Sequence, residues 1–260
     1  MIRDNVLEKE IESLLNYNSE VIVFDSIDST NTYLKGLAAD GQKEGTVVIA
    51  KSQTNGRGRL GRSFHSAENG LYLSLLLRPD KSAEASLLIT VAASVAVALA
   101  IEKVTGKHTE IKWVNDIYLN SKKVSGILTE GAINPENAKL SYAVLGVGVN
   151  IFTPKDDFPE EIKNIATAIY ESDNGKNILP TLAAEIINIF MDFYKNLEQK
   201  EYLSEYKKRS ILIGKEVSYV LDGTIYTGKV LGIDDDARLL LDIKGERVAL
   251  NAGEVSVRLI

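Results

Sequence analysis

The sequence predicts an α+β fold in two parts: a mixed β-sheet with helices packed on it over residues 1–211, and a small β-barrel over residues 212–260. Three observations carry this. Strand-like and helix-like patterns interleave in the first part without strict βαβ alternation, which favours α+β over a doubly wound sheet. The segment LYLSLLLRP (71–79) is almost wholly apolar, as expected of a strand covered on both faces. From Leu212 onward come short β segments, KEVSYVL, TIYTGKVLGI, RLLLDI, ERVALN and EVSVRL, separated by Gly and Asp turns at short, even spacing.

The elements follow in order. Leu7, Ile11, Leu14 and Leu15 recur at helical spacing across residues 4–16. VIVFDSI (21–27) reads as a strand, and Asp28, Ser29 and Thr30 offer oxygens to cap the helix STNTYLKGLAA. GTVVIAKSQ (45–53) is a second strand, LYLSLLLRP a third, and a helix runs from Ala83 to Val104. TEIKWVNDIYLN (109–120) and KKVSGILTEGAI (122–133) read as paired strands joined by a tight turn at Asn120-Ser121. AKLSYAVLGVGVNIF (138–152) is a further strand, and one helical stretch covers about residues 180–209.

Composition excludes several functions. The 260 residues carry a formal charge of −6, contain no cysteine and have only two histidines, His65 and His108, far apart. Disulfides, thiolate chemistry and a structural zinc site are thereby set aside, which fits a reducing cytoplasm. The start, MIRDNVLEKE, is charged and unlike a signal peptide. The uncharged run SLLITVAASVAVALAI (86–101) is short for a membrane span and reads as a buried core helix. An acidic chain is also a poor non-specific ligand for DNA, because that affinity comes from neutralised phosphates.

The segment TNGRGRLGRSF (54–64) departs from this acidic background. Gly56, Gly58 and Gly61 fit G-x-G-x-x-G, but the segment runs on through RSFHSAENG towards a strand, whereas a dinucleotide fingerprint opens a helix. Glycines let backbone approach a ligand, and the planar forks of Arg57, Arg59 and Arg62 match phosphate or carboxylate oxygens. Lys51 adds charge, and no acidic residue lies between it and Arg62. Such a loop is expected to repel itself when empty and to close over an anion. A solvated basic loop and a single-stranded RNA contact are the rival readings.

Three more segments frame this loop in chain order: DSIDSTNTYL (25–34), IKWVNDIYL (111–119) and KVSGILTE (123–130). Together the four closely resemble the biotin protein ligase family, strongly over residues 21–152, with GEVSVR (253–258) similar to the family's closing segment. The resemblance implies a class II synthetase-like biotin–lipoyl ligase fold with an SH3-like C-terminal barrel. It implies ATP and biotin as substrates, Mg²⁺, and transfer of biotin through biotinyl-5′-AMP to a lysine of a biotin carboxyl carrier domain. A cytoplasmic homodimer is also implied. Some members carry an N-terminal winged helix that represses transcription, a module of on the order of sixty residues. Here Ser29 stands too near the start to leave that room, so no nucleic-acid or membrane partner is expected.

Carried over residue by residue, the resemblance places biotin against Ser29, Thr30, Asn31 and Gln53, under a loop formed by Gly56, Arg57, Gly58 and Arg59. Short polar side chains suit a ureido ring, which has two N–H donors and one carbonyl acceptor. Lys123 would meet the biotin carboxylate and the α-phosphate, with Gly126 lining the site through its backbone. Lys112 and Asp116 would share a strand face if that strand is regular, with Asp116 the candidate base and possible Mg²⁺ contact. A structural Asp116–Lys112 ion pair is the alternative. Arg59, Arg62, Phe64, Asn115, Lys123, Asn150 and Arg258 are the implied nucleotide contacts. Trp113 is equally a core or a site residue. Phe64 replaces a common tryptophan, Val114 a frequent proline, and Ala67 and Asn69 a usual proline and glycine.

Overall fold

The computed structural model describes residues 2–68, 70–82, 85–173, 175–221, 224–251 and 257–259, with the backbone alone for Leu221 and for residues 257–259. Asn69 and the start of the 83–104 helix therefore lie outside the described residues, as does the side chain of Arg258. Helix α1 (Asn5–Leu14) opens on Asp4, whose carboxylate accepts from the Leu7 N–H at 3.1 Å. Strand β1 (Val21–Ile27), helix α2 (Thr30–Ala39) and strand β2 (Val47–Gln53) form a crossover, so β1 and β2 pair in parallel. Ser29 is the N-cap of α2 and accepts from the Thr32 N–H. Strand β3 (Leu71–Leu77) has every residue buried, as its apolar sequence requires. Helix α3 (Ala85–Thr105) is long and apolar enough to cross a membrane, yet it is mostly buried within this fold.

Strands β4 (Glu110–Lys112), β5 (Asp116–Leu119), β6 (Lys122–Ile133) and β7 (Leu140–Val149) complete a seven-stranded mixed sheet in the order β1-β2-β3-β7-β6-β5-β4. Side chains alternate between its faces. Val47, Ile49, Leu71, Leu73, Leu75 and Leu145 join the core built with α1 and α3. Val48, Ala50, Leu76 and Val144 meet Leu34 and Ala38 of α2 on the other face. Ser74, Gly146 and Gly148 lie where this second face runs beyond the N-terminus of α2, and there the apolar cover gives way to a polar pocket.

Helix α4 (Leu179–Lys195) and helix α5 (Tyr202–Arg209) finish the first part. Strands β8 (Glu216–Leu221), β9 (Thr224–Ile233), β10 (Leu239–Ile243), β11 (Glu246–Leu250) and β12 (Val257–Leu259) form an antiparallel sheet ordered β11-β10-β9-β8-β12. Its Val217, Val230, Leu239 and Leu241 belong to the same core as α3. The buried indole of Trp113 donates to the Ala237 carbonyl at 2.9 Å, tying the two sheets together.

The structure corrects two element readings. The stretch 109–120 is not one strand: residues 113–115 turn, and Lys112 faces Asp116 across a hairpin. The Trp113–Val114 peptide within this turn is cis. The helical stretch 180–209 is also broken, by a 3₁₀ turn at Leu197–Gln199 and a left-handed Lys200 with φ of 54°. Neither break carries a glycine or proline, the usual marks of such a break in a sequence.

Candidate active site

The polar pocket is a continuous hydrogen-bond chain. Ser74, the one serine of β3, donates its hydroxyl to Asn31 Oδ1 at 2.6 Å and lies 2.8 Å from Thr30 Oγ1. The Thr30 N–H and hydroxyl both donate to Gln53 Oε1, at 2.9 and 3.1 Å. Gln53 Nε2 donates to Ser66 Oγ at 3.0 Å, and the Ser66 hydroxyl donates to the Phe64 carbonyl at the end of the arginine loop. Thr30 and Asn31 of this chain, and Ser29 beside them, are almost wholly buried, so their polar atoms are fixed by protein partners rather than by water. The fold thus brings Ser29, Thr30, Asn31 and Gln53 together as the sequence led one to expect.

The floor is glycine. A Cβ on Gly146 would lie 2.2 Å from Asn31 Oδ1, and one on Gly148 would lie 2.6 Å from the Phe64 ring. At Gly126 it would lie 3.0 Å from Phe64 and 3.1 Å from Lys123 Nζ. Gly56 is needed at the loop's start, where a Cβ would fall 2.3 Å from both the Phe64 carbonyl and Ser66 Oγ. Phe64 stands between the polar pocket and a second, larger cavity of about 510 Å³, and lines both.

Cations dominate that larger groove: Arg57, Arg59, Arg62, Lys112 and Lys123 line it, with Asp116 the acidic group among its described lining residues. Lys123 Nζ lies 2.6 Å from Asp116 Oδ1 and 5.7 Å from the centre of the Phe64 ring. The neighbouring Lys122 instead donates to the Lys163 carbonyl, and of the two lysines Lys123 lines the groove. The carboxylate of Asp116 is thus paired with Lys123 across β5 and β6, not with Lys112 as the ion-pair alternative supposed. Asn115 donates to the Ile127 carbonyl at 2.7 Å and turns Oδ1 to Arg59, 3.1 Å away. The Tyr206 hydroxyl, fully buried, donates to the Val114 carbonyl at 2.9 Å, so the 113–115 turn is held from three sides. Burial pulls the pKa of the Arg59 guanidinium below its ordinary value, with Asp116 acting the other way.

The loop itself is ordered by backbone bonds: Gly58 N–H to the Arg62 carbonyl at 2.7 Å and Phe64 N–H to the Gly56 carbonyl at 2.9 Å. Its charge is not left to self-repulsion. Arg57 donates to Glu130 Oε1 at 3.0 Å, a carboxylate supplied by β6. Lys51 does not join the loop's field, because its ammonium is held by Asp4 and Asp25, each at 2.9 Å. Asn150 is buried, donates to the Thr167 carbonyl at 2.9 Å, and lines neither the pocket nor the groove. For a metal, the described residues hold no cluster of three His, Asp or Glu, and Asp116 alone offers the groove a carboxylate. That donor set suits an ion arriving on a polyphosphate with its own water shell, not a resident metal.

Sequence reasoning missed Ser66, Tyr72, Ser74, Glu130, Gly146 and Gly148, each of which lines the pocket or bonds to a residue that does. Ser74 had a signal, a lone serine inside LYLSLLL. Gly146 and Gly148 had one too, the alternation in GVGVN that puts small residues on one sheet face.

A polar pocket for a neutral ring, opening through glycines onto a cationic groove, defines a protein that holds an acid and a polyanion side by side. The comparisons agree. The chain matches the model of the Biotin/lipoate A/B protein ligase family over residues 23–150 and that of the Biotin protein ligase C terminal domain over residues 212–258. It is 39% identical to the Bifunctional ligase/repressor BirA of Bacillus spizizenii, over 85% of this chain and 69% of that relative. It is 33% identical to a biotin--[acetyl-CoA-carboxylase] ligase of Mycobacterium tuberculosis, over 87% of this chain and 85% of that one. The solved structure of the biotin protein ligase of Aquifex aeolicus in complex with biotin and ATP superposes with a TM-score of 0.77 at 29% identity, covering 92% of this chain and 99% of that one. The chain belongs to the biotin protein ligase family.

Proposed function

We propose that this chain activates biotin with ATP and then transfers the biotinyl group to a lysine of a biotin carboxyl carrier domain. One observation supports this most strongly. The pocket of Ser29, Thr30, Asn31 and Gln53 meets, at Phe64 and Gly126, the cationic groove that holds Lys123 and Arg59. A bicyclic ureido ring in the pocket would point its carboxylate at those cations.

In the first step a biotin carboxylate oxygen attacks the α-phosphorus of ATP, the bond to the β-phosphate oxygen breaks, and pyrophosphate leaves. Two anions must approach, so Lys123, Arg57, Arg59 and Arg62 supply the fixed positive charge that their meeting requires. Magnesium bound with ATP would add to that screening, and Asp116 is the groove carboxylate that could meet it. Asn115 orients Arg59, and the Phe64 ring offers a face for adenine. Asn150 and Arg258 remain proposed nucleotide contacts, and Lys112 a second cation at the groove's rim. In the second step the acceptor amine attacks the acyl carbon of the mixed anhydride, the bond to the phosphate oxygen breaks, and AMP leaves. Asp116, once Lys123 turns to the phosphate, is placed to orient that amine and take its proton.

The C-terminal sheet is read as an SH3-like barrel bounding residues 212–260, and the protein as a cytoplasmic homodimer. Labelled pyrophosphate exchange into ATP tests the reading. Exchange is expected with biotin and not with lipoate, and exchange driven by lipoate alone would redirect the proposal to a lipoate ligase.

A further inference from the structure

Behind the pocket lies a charged group that the proposed chemistry leaves unused. Glu130 lies in the C-terminal half of β6, with its side chain 19% exposed, behind Asn31. Its Oε2 accepts from Asn31 Nδ2 at 2.9 Å, and its Oε1 accepts from Lys35 at 2.9 Å and from Arg57 at 3.0 Å. Burial works to raise its pKa, but the hydrogen bonds from Asn31 and Lys35 and the charges of Lys35 and Arg57 outweigh that and hold it below the ordinary value.

An ionised carboxylate can only accept hydrogen bonds. Asn31 has two faces, one of donors and one acceptor, and it is almost wholly buried. With an acceptor-only neighbour on one side, the NH₂ must face Glu130 and the carbonyl must face away. Oδ1 is accordingly the atom above Gly146, taking the Ser74 hydroxyl at 2.6 Å. A carbonyl oxygen has two lone pairs, so one remains for a ligand N–H in the pocket. The opposite amide orientation would set two acceptors against each other behind the pocket and turn a donor towards the ligand.

We propose that Glu130 is a positioning residue that sets substrate specificity: it fixes the Asn31 amide so that the pocket reads a ring N–H, and so selects acids bearing a cyclic urea or amide. The inference rests on the biotin reading above. It makes Glu130 act through Asn31, and the bond from Arg57 is enough to hold the carboxylate in place when the tie to Lys35 is removed.

Glu130→Gln tests it. The shape is kept, but glutamine can donate or accept, so the shorter of the two bonds that orient the Asn31 amide no longer selects one orientation, and only the 3.5 Å contact of Nδ2 with the Leu128 carbonyl still favours it. Losing one oriented hydrogen bond predicts a roughly tenfold rise in the KM for biotin, with kcat and the KM for ATP changed less than about threefold. Selectivity should move with it. The ratio of kcat/KM for biotin to that for biotin methylated at a ring nitrogen should fall by about tenfold, for at least one of the two N-methyl isomers. Lys35→Met, which removes only the ion pair to α2, should leave both the biotin KM and that ratio within about threefold of wild type. Glu130→Asp keeps an acceptor-only group and should retain the ratio even if affinity drops; it serves as the readout should Glu130→Gln not fold. An unchanged ratio in folded Glu130→Gln overturns the inference, as does an equal loss in Lys35→Met or a lost ratio in folded Glu130→Asp. Wild-type protein that shows no biotin-dependent exchange would overturn the functional reading itself, and this inference with it.

Discussion

At the residue scale, the site depends on what is left out as much as on what is present. Gly146 and Gly148 alternate along β7 on the face that α2 leaves open, and each removes a side chain where Asn31 or Phe64 must sit. Gly146→Ala would drive a methyl to 2.2 Å from Asn31 Oδ1, an oxygen already held by Ser74. Asn31 would have to shift on the order of an ångström, a displacement that costs about a hundredfold when a reacting group depends on it. The variant should fold, bind ATP, and lose biotin affinity by at least about tenfold, as titration calorimetry would read. Unchanged biotin binding would show that Asn31 is not the ring's partner. The cationic residues carry a different lesson. Arg57, Arg59 and Arg62 look unbalanced in the linear sequence, but the balancing groups, Glu130 and Asp116, arrive from β6 and β5.

At the element scale, the sequence disclosed what rests on periodicity and hid what rests on backbone exceptions. β3 is fully buried because all its residues but one are apolar, and α2 starts where Ser29 caps it. The hairpin turn at 113–115 and the break at Lys200 were hard to read, because neither carries a glycine or proline and Asn115, a turn-former, stands inside an otherwise strand-like apolar run. The charge partners of the loop were hidden for another reason: Glu130 lies 73 residues from Arg57, a separation that no local pattern encodes. Such a long-range tie also secures α5. Buried Arg209 donates to Glu205, to Glu102 of α3 and, at 3.0 Å, to the Thr109 carbonyl. Arg209→Ala should cost roughly 2 kcal/mol, less than a fully buried pair because both glutamates keep solvent contact. In a chain of this size that lowers Tm by about 5 °C in a scanning calorimeter. Arg209 holds the Glu102 carboxyl below its ordinary value of 4.5. A depressed carboxylate contributes stability above that value and loses it as pH falls through the folded pKa. The Tm gap between wild type and variant should therefore narrow below about pH 4.5, and a constant gap would deny the ion pair its role.

At the scale of the whole molecule, the two sheets share one hydrophobic core. Val217, Val230, Leu239 and Leu241 share a core with α3, and Trp113 bonds across to Ala237 while lining the groove. Trp113 is the sole tryptophan, so its emission reports on that junction directly. Urea unfolding followed by tryptophan fluorescence and by far-UV circular dichroism should give coincident transitions. A fluorescence change well before the loss of secondary structure would mean that the C-terminal sheet separates first. The net charge of −6 contrasts with the cationic groove, and that contrast concentrates the field where a polyanion would enter.

The central claim is that the polar pocket and the cationic groove act in sequence on one acid. The most direct measurement is mass analysis of folded protein incubated with biotin and Mg·ATP, with no acceptor, for wild type and Lys123→Ala. The account predicts biotinyl-5′-AMP retained by the wild type and consumed when an unmodified carrier domain is added. It predicts adenylate formation at least about a hundredfold slower in Lys123→Ala, the scale for loss of one preorganised charge contact. No adenylate from folded wild-type protein, or wild-type rates from Lys123→Ala, would contradict it.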